Sequence, residues 1–113
     1  MKYLRRVANK TKRDRERSSK IREDLKVTPL AQEIEIKQLR WFGHVSRMSK
    51  ERLPKKCIEA RLDGKRSRGR PRTTWTENIT KLGNRRGKTL TEMKRMAKNR
   101  EEWKSFIRKA PTL

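Results

Sequence analysis

The apolar side chains between residues 30 and 48 recur at spacings of three, four and seven, which is typical of one face of an α-helix. Thr28 and Pro29 precede them as N-cap and first helical residue. Gly43 lies inside this stretch at a cost of about 1 kcal/mol relative to alanine, which predicts that another element approaches closely there. The face expected to be buried contains Leu30, Ile34, Trp41, Val45 and Met48, widened by Ile36, Leu39 and Phe42.

Capping residues mark the other predicted helices. Thr11 and Asp14 could cap a helix over residues 12–26. Three later pairs have the spacing of a capping box, and Gly83 is expected to end the helix that the first of them starts. The pairs are Thr74 with Glu77, Thr89 with Glu92, and Asn99 with Glu102. The last two helices could also be one, because their apolar residues keep a single face.

No strand-like alternation is present, so the sequence predicts a mainly α fold. Only 20 of the 113 residues are Leu, Ile, Val or Phe, and the net charge is +22. Such a balance approaches that of disordered chains, although three tryptophans argue for some core. We therefore expect a small irregular helical domain with four to five short helices and a disordered basic loop. Its expected segments are a basic helical segment (1–27), the Trp41 helix with its connector (28–63), the basic loop (64–73) and the C-terminal helices (74–113).

The excess of positive charge predicts a polyanionic partner, because a net charge of +22 opposes compaction unless it is neutralised. Phosphate backbones are the commonest polyanion, and binding them releases counterions. An anionic membrane is the competing partner, but the chain lacks a continuous apolar stripe and any stretch long enough to span a bilayer. The single cysteine, Cys57, allows no internal disulfide and suits a reducing compartment.

The most distinctive basic segment is KRSRGRPR, residues 65–72. Gly69 lets the backbone approach a surface closely, and Pro71 favours an extended conformation at Arg70. Arg68 and Arg70 could then enter the minor groove of A·T-rich DNA. The segment resembles an AT-hook core. The alternative is a solvated basic linker that doubles as a nuclear-import signal, and we predict a nuclear location.

Phosphate contacts are expected from Arg66, Arg72 and a second basic turn within residues 84–88. The tryptophans could stack on unpaired bases, but their positions on apolar helix faces favour core packing. The full set of candidate nucleic-acid-binding residues is Lys65, Arg66, Arg68, Gly69, Arg70, Pro71, Arg72, Arg85, Arg86 and Lys88.

No catalytic site is predicted. The adjacent acidic pairs at 23–24 and 101–102 lie on predicted helices beside basic residues, where charge pairing explains them. His44 and Cys57 are too few for a zinc site. We expect His44 to be packed or to face phosphate, and Cys57 to be a small buried hydrophobe. The glycine–lysine pairs lack the spacing of a phosphate-binding P-loop. No metal, cofactor or small-molecule substrate is therefore expected.

Three ordered blocks carry a family resemblance: LRWFGHVSRM at 39–48, RLP at 52–54 and GKRSRGRPRTTW at 64–75. Together they resemble the C-terminal tail of non-LTR (LINE-type) retrotransposon polyproteins. AKNREEW at 97–103 is similar to that family's closing Ala-x-Asp-Arg-x-x-Trp element, with Asn99 in place of the usual aspartate. YLRRV at 3–7 and TKRDR at 11–15 resemble the stretch before it, so the likeness covers nearly the whole chain.

This resemblance implies a role other than catalysis. Family members are endonuclease–reverse transcriptases, and the tail lies after the polymerase domain, where it would hold template RNA or target DNA. The catalytic aspartates have no counterpart here, so the resemblance implies a non-enzymatic fragment or remnant. Its expected partners are DNA or RNA and a reverse transcriptase domain of the same element. The alternative function is a structural module that packs on a polymerase domain and binds no nucleic acid independently.

Overall fold

The computed structural model describes residues 1–61 and 63–109. Within these ranges the chain folds into seven short α-helices and one 3-10 helix, with no β-strand. The 3-10 helix is Lys12–Asp14. The α-helices are α1 (Lys2–Val7), α2 (Ser18–Asp24), α3 (Leu30–Ser46), α4 (Leu53–Glu59), α5 (Trp75–Arg85), α6 (Leu90–Met96) and α7 (Arg100–Arg108).

The predicted mainly α fold is confirmed, but the described residues contain seven α-helices where four to five were expected. The predicted helix over 12–26 is broken, because Arg15 adopts a left-handed conformation with φ +50° and the chain restarts as α2. Leu53 and Pro54 begin α4, where proline suits the first turn. Parts of the predicted 28–63 and 74–113 segments, residue 62 and residues 110–113, lie outside the described residues. Disorder of the basic loop stays a prediction.

The chain divides into two compact units, residues 1–34 and 35–113, and the division falls inside α3. In the first unit α1 and α2 contact each other, and Ile21 on α2 is buried. Lys10 and Glu16 form an ion pair at 3.0 Å. The guanidinium of Arg5 donates to the Glu16 carbonyl at 3.2 Å. These polar contacts add to the limited apolar packing around Ile21.

The second unit contains a continuous apolar core built from α3, α5, α6 and α7. Aromatic rings form its centre, with Phe42 lying 5.7 Å from Trp103 and 6.3 Å from Trp75 between ring centroids. Trp103 also lies 5.1 Å from Phe106. These separations suit tilted aromatic pairs. The buried cluster is Leu39, Phe42, Ile79, Leu82, Met93, Ala97, Trp103, Phe106 and Ile107.

The extent of α3 agrees with the prediction of a helix over 30–48, but its buried face does not. Leu30, Ile34 and Trp41 are exposed, at 74%, 47% and 48% of their surface. The buried residues are instead Leu39, Phe42, Gly43 and Val45, and Ile36 packs against the core. The buried face of α3 is therefore rotated from the predicted one. It is centred on Leu39 and Phe42, which the sequence predicts only at the edge of the buried face. Core packing is confirmed for Trp103 and, half-buried, for Trp75, but it is wrong for Trp41.

The predicted helix starts in the C-terminal third are confirmed. Thr74 and Thr89 each form a reciprocal capping box, with Glu77 and Glu92 respectively. Asn99 caps α7 by accepting from the backbone N–H groups of residues 101 and 102. Each cap satisfies donors that a helix start leaves without intrahelical partners. Because α7 has its own cap, α6 and α7 are separate helices.

Gly83 does not end α5, which continues to Arg85. The glycine is buried, and an added Cβ would collide with the terminal atoms of the Met93 side chain. Its role is therefore to let α5 and α6 pack closely, and the turn after α5 uses Gly87 at φ +75°.

Gly43 provides the close approach that the sequence predicts. An added Cβ there would overlap the indole ring of Trp103, which lies directly on the helix backbone. The same indole donates its Nε1–H to the carbonyl oxygen of Leu39 at 3.0 Å. One side chain of α7 is thus fixed to α3 both by packing and by a buried hydrogen bond.

We expect Gly43→Ala to lower the free energy of unfolding by about 2 kcal/mol, because displacing a buried indole outweighs the gain in helix propensity. Gly83→Ala is the matched control, since its Cβ would meet mainly the flexible end of Met93. Because that end can shift more easily than a hydrogen-bonded indole, the effect of Gly83→Ala is expected to be a smaller loss, about 1 kcal/mol. Urea denaturation followed by circular dichroism measures both, and equal effects would contradict the rigid Trp103 contact.

Glu92 should make stability depend on acid pH. The backbone N–H of Thr89 donates to its carboxylate at 2.9 Å and lowers its pKa. A lowered folded-state pKa gives stability that is present above the unfolded value, about 4.3, and lost as pH falls through the folded value. Urea denaturation at several pH values should therefore show Glu92→Gln less stable than wild type near neutrality, with the gap closing in acid. A gap that does not change with pH would contradict a charged cap.

Candidate nucleic-acid interface

The basic loop, residues 64–73, connects α4 to α5 without helix or strand, and all of it is exposed. It contains no large apolar side chain to bury. Its sequence therefore cannot contribute to the core, and its cations remain at the surface. Lys65, Arg68, Arg70 and Arg72 form no ion pair with any carboxylate in the part of the chain that the structure describes.

The two ends of the loop are held together at the start of α5. Arg66 donates from Nη2 to the carbonyl oxygen of Arg72 at 3.4 Å. The same guanidinium lies 3.8 Å from a carboxylate oxygen of Glu77, the residue that closes the capping box with Thr74. The loop is thus anchored at its base, and Arg66 serves this anchor as well as presenting a cation.

The middle of the loop bends over residues 68–70, with Gly69 at φ +124°. L-residues rarely adopt that backbone conformation, so the glycine is required by conformation. No atom lies within 4 Å of where its Cβ would be. The sequence predicts an extended chain at Arg70, and the structure instead has Arg68 and Arg70 flanking a bend. Entry into a groove would require this bend to open.

A cleft of about 610 Å³ lies between the loop and the first residues of α5. Arg66, Arg70 and Arg72 line it, together with Pro71 and the half-buried ring of Trp75. Trp75 is fixed from behind by Phe42 of the core. The arrangement places guanidinium groups beside an aromatic ring, which suits phosphates with neighbouring bases.

The second predicted basic segment is placed differently. Arg85 is the last residue of α5, and its guanidinium donates to Glu35 at 2.8 Å. Arg86 is only 3% exposed and approaches the other carboxylate oxygen of Glu35 at 3.4 Å. It also donates to the Leu82 carbonyl. Lys88 is half-buried.

Arg86 is therefore excluded from the proposed phosphate contacts, because its charge is enclosed in the protein and already paired. Burying a guanidinium is costly without such a partner. Arg85 is half-exposed but is shared with Glu35. The basic loop therefore remains the main candidate surface, whereas Arg85 and Arg86 hold α5 against α3 through Glu35.

Cations outside the two predicted segments form a further surface. Arg47, directly after α3, and Arg100 of α7 line common clefts with neighbouring basic side chains. Burial, followed by the like charge of Arg100, lowers the pKa of Arg47. Sequence reasoning missed these residues because they are spread over two helices. The signal was the spacing of basic residues by four along the final helix, at 100, 104 and 108.

His44 and Cys57 do not form a site together. Cys57 is exposed, which corrects the expectation that it is buried. His44 is exposed and its ring lies 5.4 Å from that of Trp41. Among the described residues no group of three or more His, Cys, Asp or Glu side chains could hold a metal ion. No helix within those same ranges is sufficiently long and apolar for a membrane span.

Comparison with known proteins adds no family assignment. No family model matches the sequence, and no curated protein or solved structure matches the chain. The functional argument therefore depends on the residues themselves and on where the fold places them.

We predict that Glu35→Ala lowers the free energy of unfolding by about 3 kcal/mol, because it leaves the buried Arg86 charge without its partner. Glu59→Ala is the matched control. It removes a carboxylate that is half-exposed and lies 3.6 Å from the Lys55 ammonium, so we expect a change below about 1 kcal/mol. Replacing both Glu35 and Arg86 by apolar residues should recover much of the loss. Thermal and urea unfolding measure these effects, and a small effect of Glu35→Ala would contradict the buried pair.

Proposed function

We propose that this chain is a non-catalytic nucleic-acid-binding module that contacts DNA or RNA through the basic loop. The observation that carries the proposal is a set of exposed cations on a loop that Arg66 anchors to the start of α5. Three arginines of that loop, Arg68, Arg70 and Arg72, have no carboxylate partner among the described residues. An anchored base lowers the entropy lost on binding. Phosphate neutralisation would supply most of the affinity.

The origin that we propose is the tail of a non-LTR retrotransposon reverse transcriptase, present as a fragment or remnant. The ordered blocks at 39–48, 52–54 and 64–75 support it by resemblance. In that setting the tail would hold target DNA or template RNA beside a polymerase domain, in the nucleus. Polymerase and endonuclease chemistry would belong to other parts of the parent protein.

A second candidate is a structural module that packs on a polymerase domain. Exposed large apolar side chains favour it, with Leu30 and Leu53 each 74% exposed and Ile34 47% exposed. Isolated exposed apolar side chains are common on protein surfaces, but a partner domain that packs here would remove these from water. Co-purification with a polymerase domain, without binding to free oligonucleotides, would favour this function over the first.

The phosphate contribution can be measured by fluorescence anisotropy with a labelled duplex. We expect affinity to fall by several decades between about 50 and 200 mM salt. Lys65→Ala with Arg72→Ala should reduce the slope of log affinity against log salt by about 2. Lys81→Ala with Arg95→Ala removes the same charge from exposed positions on α5 and α6 and should have a smaller effect. A flat salt response of the wild-type chain would reject phosphate binding.

The minor-groove contribution requires a separate comparison. Arg68→Ala with Arg70→Ala should abolish any preference for A·T-rich over G·C-rich duplex, because the minor groove of A·T-rich DNA attracts inserted guanidinium groups. Competition between the two duplexes at fixed salt measures the preference. Salt-dependent binding with no A·T preference in the wild-type chain would reject this part of the proposal and leave the phosphate contacts standing.

A further inference from the structure

A second cationic surface, which we call the α3/α7 surface, lies where Trp103 joins α7 to α3. Along α3 the basic side chains are spaced by four and three, and along α7 they are spaced by four, so each set lies on one helix face. Its members at the end of α3 are Arg40, His44 and, directly after the last helical residue, Arg47. Those on α7 are Arg100, Lys104 and Arg108.

These side chains line two adjoining clefts. The smaller, about 140 Å³, is lined by five cations together with the apolar side chains of Trp103 and Ile107. The larger, about 300 Å³, contains His44 and Arg52. Arg47 and Arg100 line both, and no carboxylate lines either one. A concave surface of one sign concentrates the field and attracts anions.

Arg47 is held in place but is not fully satisfied. Its Nη1 donates to the carbonyl oxygen of Ala97 at 2.8 Å, which fixes the guanidinium beside α7. Its Nε is buried and has no hydrogen-bond partner among the described residues. Arg100 adds a like charge nearby, and burial with that charge lowers the pKa of Arg47. An anion between the two would accept from the guanidinium and relieve the repulsion.

The exposed aromatic ring of Trp41 lies next to these cations. It is 48% exposed and contacts His44, whose ring lies 5.4 Å away and which lines the larger cleft. Trp41 is not part of the buried core, so its indole face can accept another flat ring. Stacking on tryptophan is available to an unpaired base, whereas the bases of a duplex are already stacked on each other.

We propose that the α3/α7 surface binds single-stranded nucleic acid, with backbone phosphates in the clefts around Arg47 and Arg100 and an unpaired base stacked on Trp41. This inference rests on the proposed function in one respect, that the chain binds nucleic acid at all. It differs in the residues used and in the form of the ligand. The basic loop would bind the phosphates of a duplex, and the α3/α7 surface would bind a strand whose bases are unpaired.

The test uses the full chain and a labelled oligothymidylate of about 15 nucleotides, in the range of single-strand binding sites. Arg100→Ala with Lys104→Ala changes two exposed positions and leaves Arg47 in place. We expect this double variant to lose about tenfold or more in single-strand affinity, with the salt slope reduced by about 1.4. The matched control, Lys81→Ala with Arg95→Ala, removes the same charge elsewhere and should lose clearly less. Equal losses would mean that only net charge matters and would overturn the proposal.

Trp41 provides a readout that does not depend on charge. Trp41→Ala should weaken oligothymidylate binding by about tenfold and leave duplex binding unchanged. Trp41→Phe keeps an aromatic face and should retain most of the affinity. Circular dichroism and thermal unfolding check that each variant folds. Equal effects of Trp41→Ala on single strand and duplex would overturn the stacking assignment.

The remaining outcomes separate this inference from the proposed function. If the wild-type chain binds neither duplex nor single strand in dilute buffer, both fail. If it binds duplex and not oligothymidylate, or if only Arg68→Ala with Arg70→Ala abolishes single-strand binding, the α3/α7 assignment fails alone. The chain can also be sedimented with phosphatidylserine vesicles, with and without oligothymidylate as competitor. If oligothymidylate did not displace the chain from the vesicles, and if Arg100→Ala with Lys104→Ala abolished vesicle binding, the surface would bind membrane and the proposal would be overturned.

Discussion

The contact between Trp103 and the backbone of α3 is the interaction on which the second unit depends. Because residue 43 is glycine, the indole can lie directly against the helix backbone, and because Leu39 offers its carbonyl, the indole nitrogen is satisfied. The ring then forms the aromatic centre with Phe42 and Phe106. A chain with so few large apolar residues gains its core from this concentration of rings around one close helix contact.

The same contact determines which charges meet. With α7 fixed against α3, the basic faces of the two helices share clefts, and Arg47 reaches the Ala97 carbonyl. The carboxylates are used elsewhere: Glu77 and Glu92 complete caps, and Glu35 neutralises the buried Arg86. Acidic groups therefore support the fold locally, and much of the positive charge is left uncompensated on the basic loop and on the α3/α7 surface.

Local signals in the sequence predicted local structure well. Thr74, Thr89 and Asn99 were identified as caps because a cap depends on residues only two or three positions apart. The predicted buried face of α3 is wrong because two overlapping sets of apolar residues share the helical periodicity. Only contact with Trp103, about sixty residues away, selects between them. The pairing of Arg86 with Glu35 was missed for the same reason. The loop could be located from composition alone, whereas its bend at Gly69 could not.

Trp41 shows how packing can leave a large aromatic side chain at the surface. Its spacing fits the helix face that the sequence favours, yet the rotated core leaves it at the surface next to His44. In a chain with little apolar surface to bury, an unburied tryptophan forgoes stabilisation that the fold could use. The cations around Arg47 likewise raise the electrostatic cost of folding in the absence of an anion. Both costs fall on one surface, and a single ligand with phosphates and a free base would offset both.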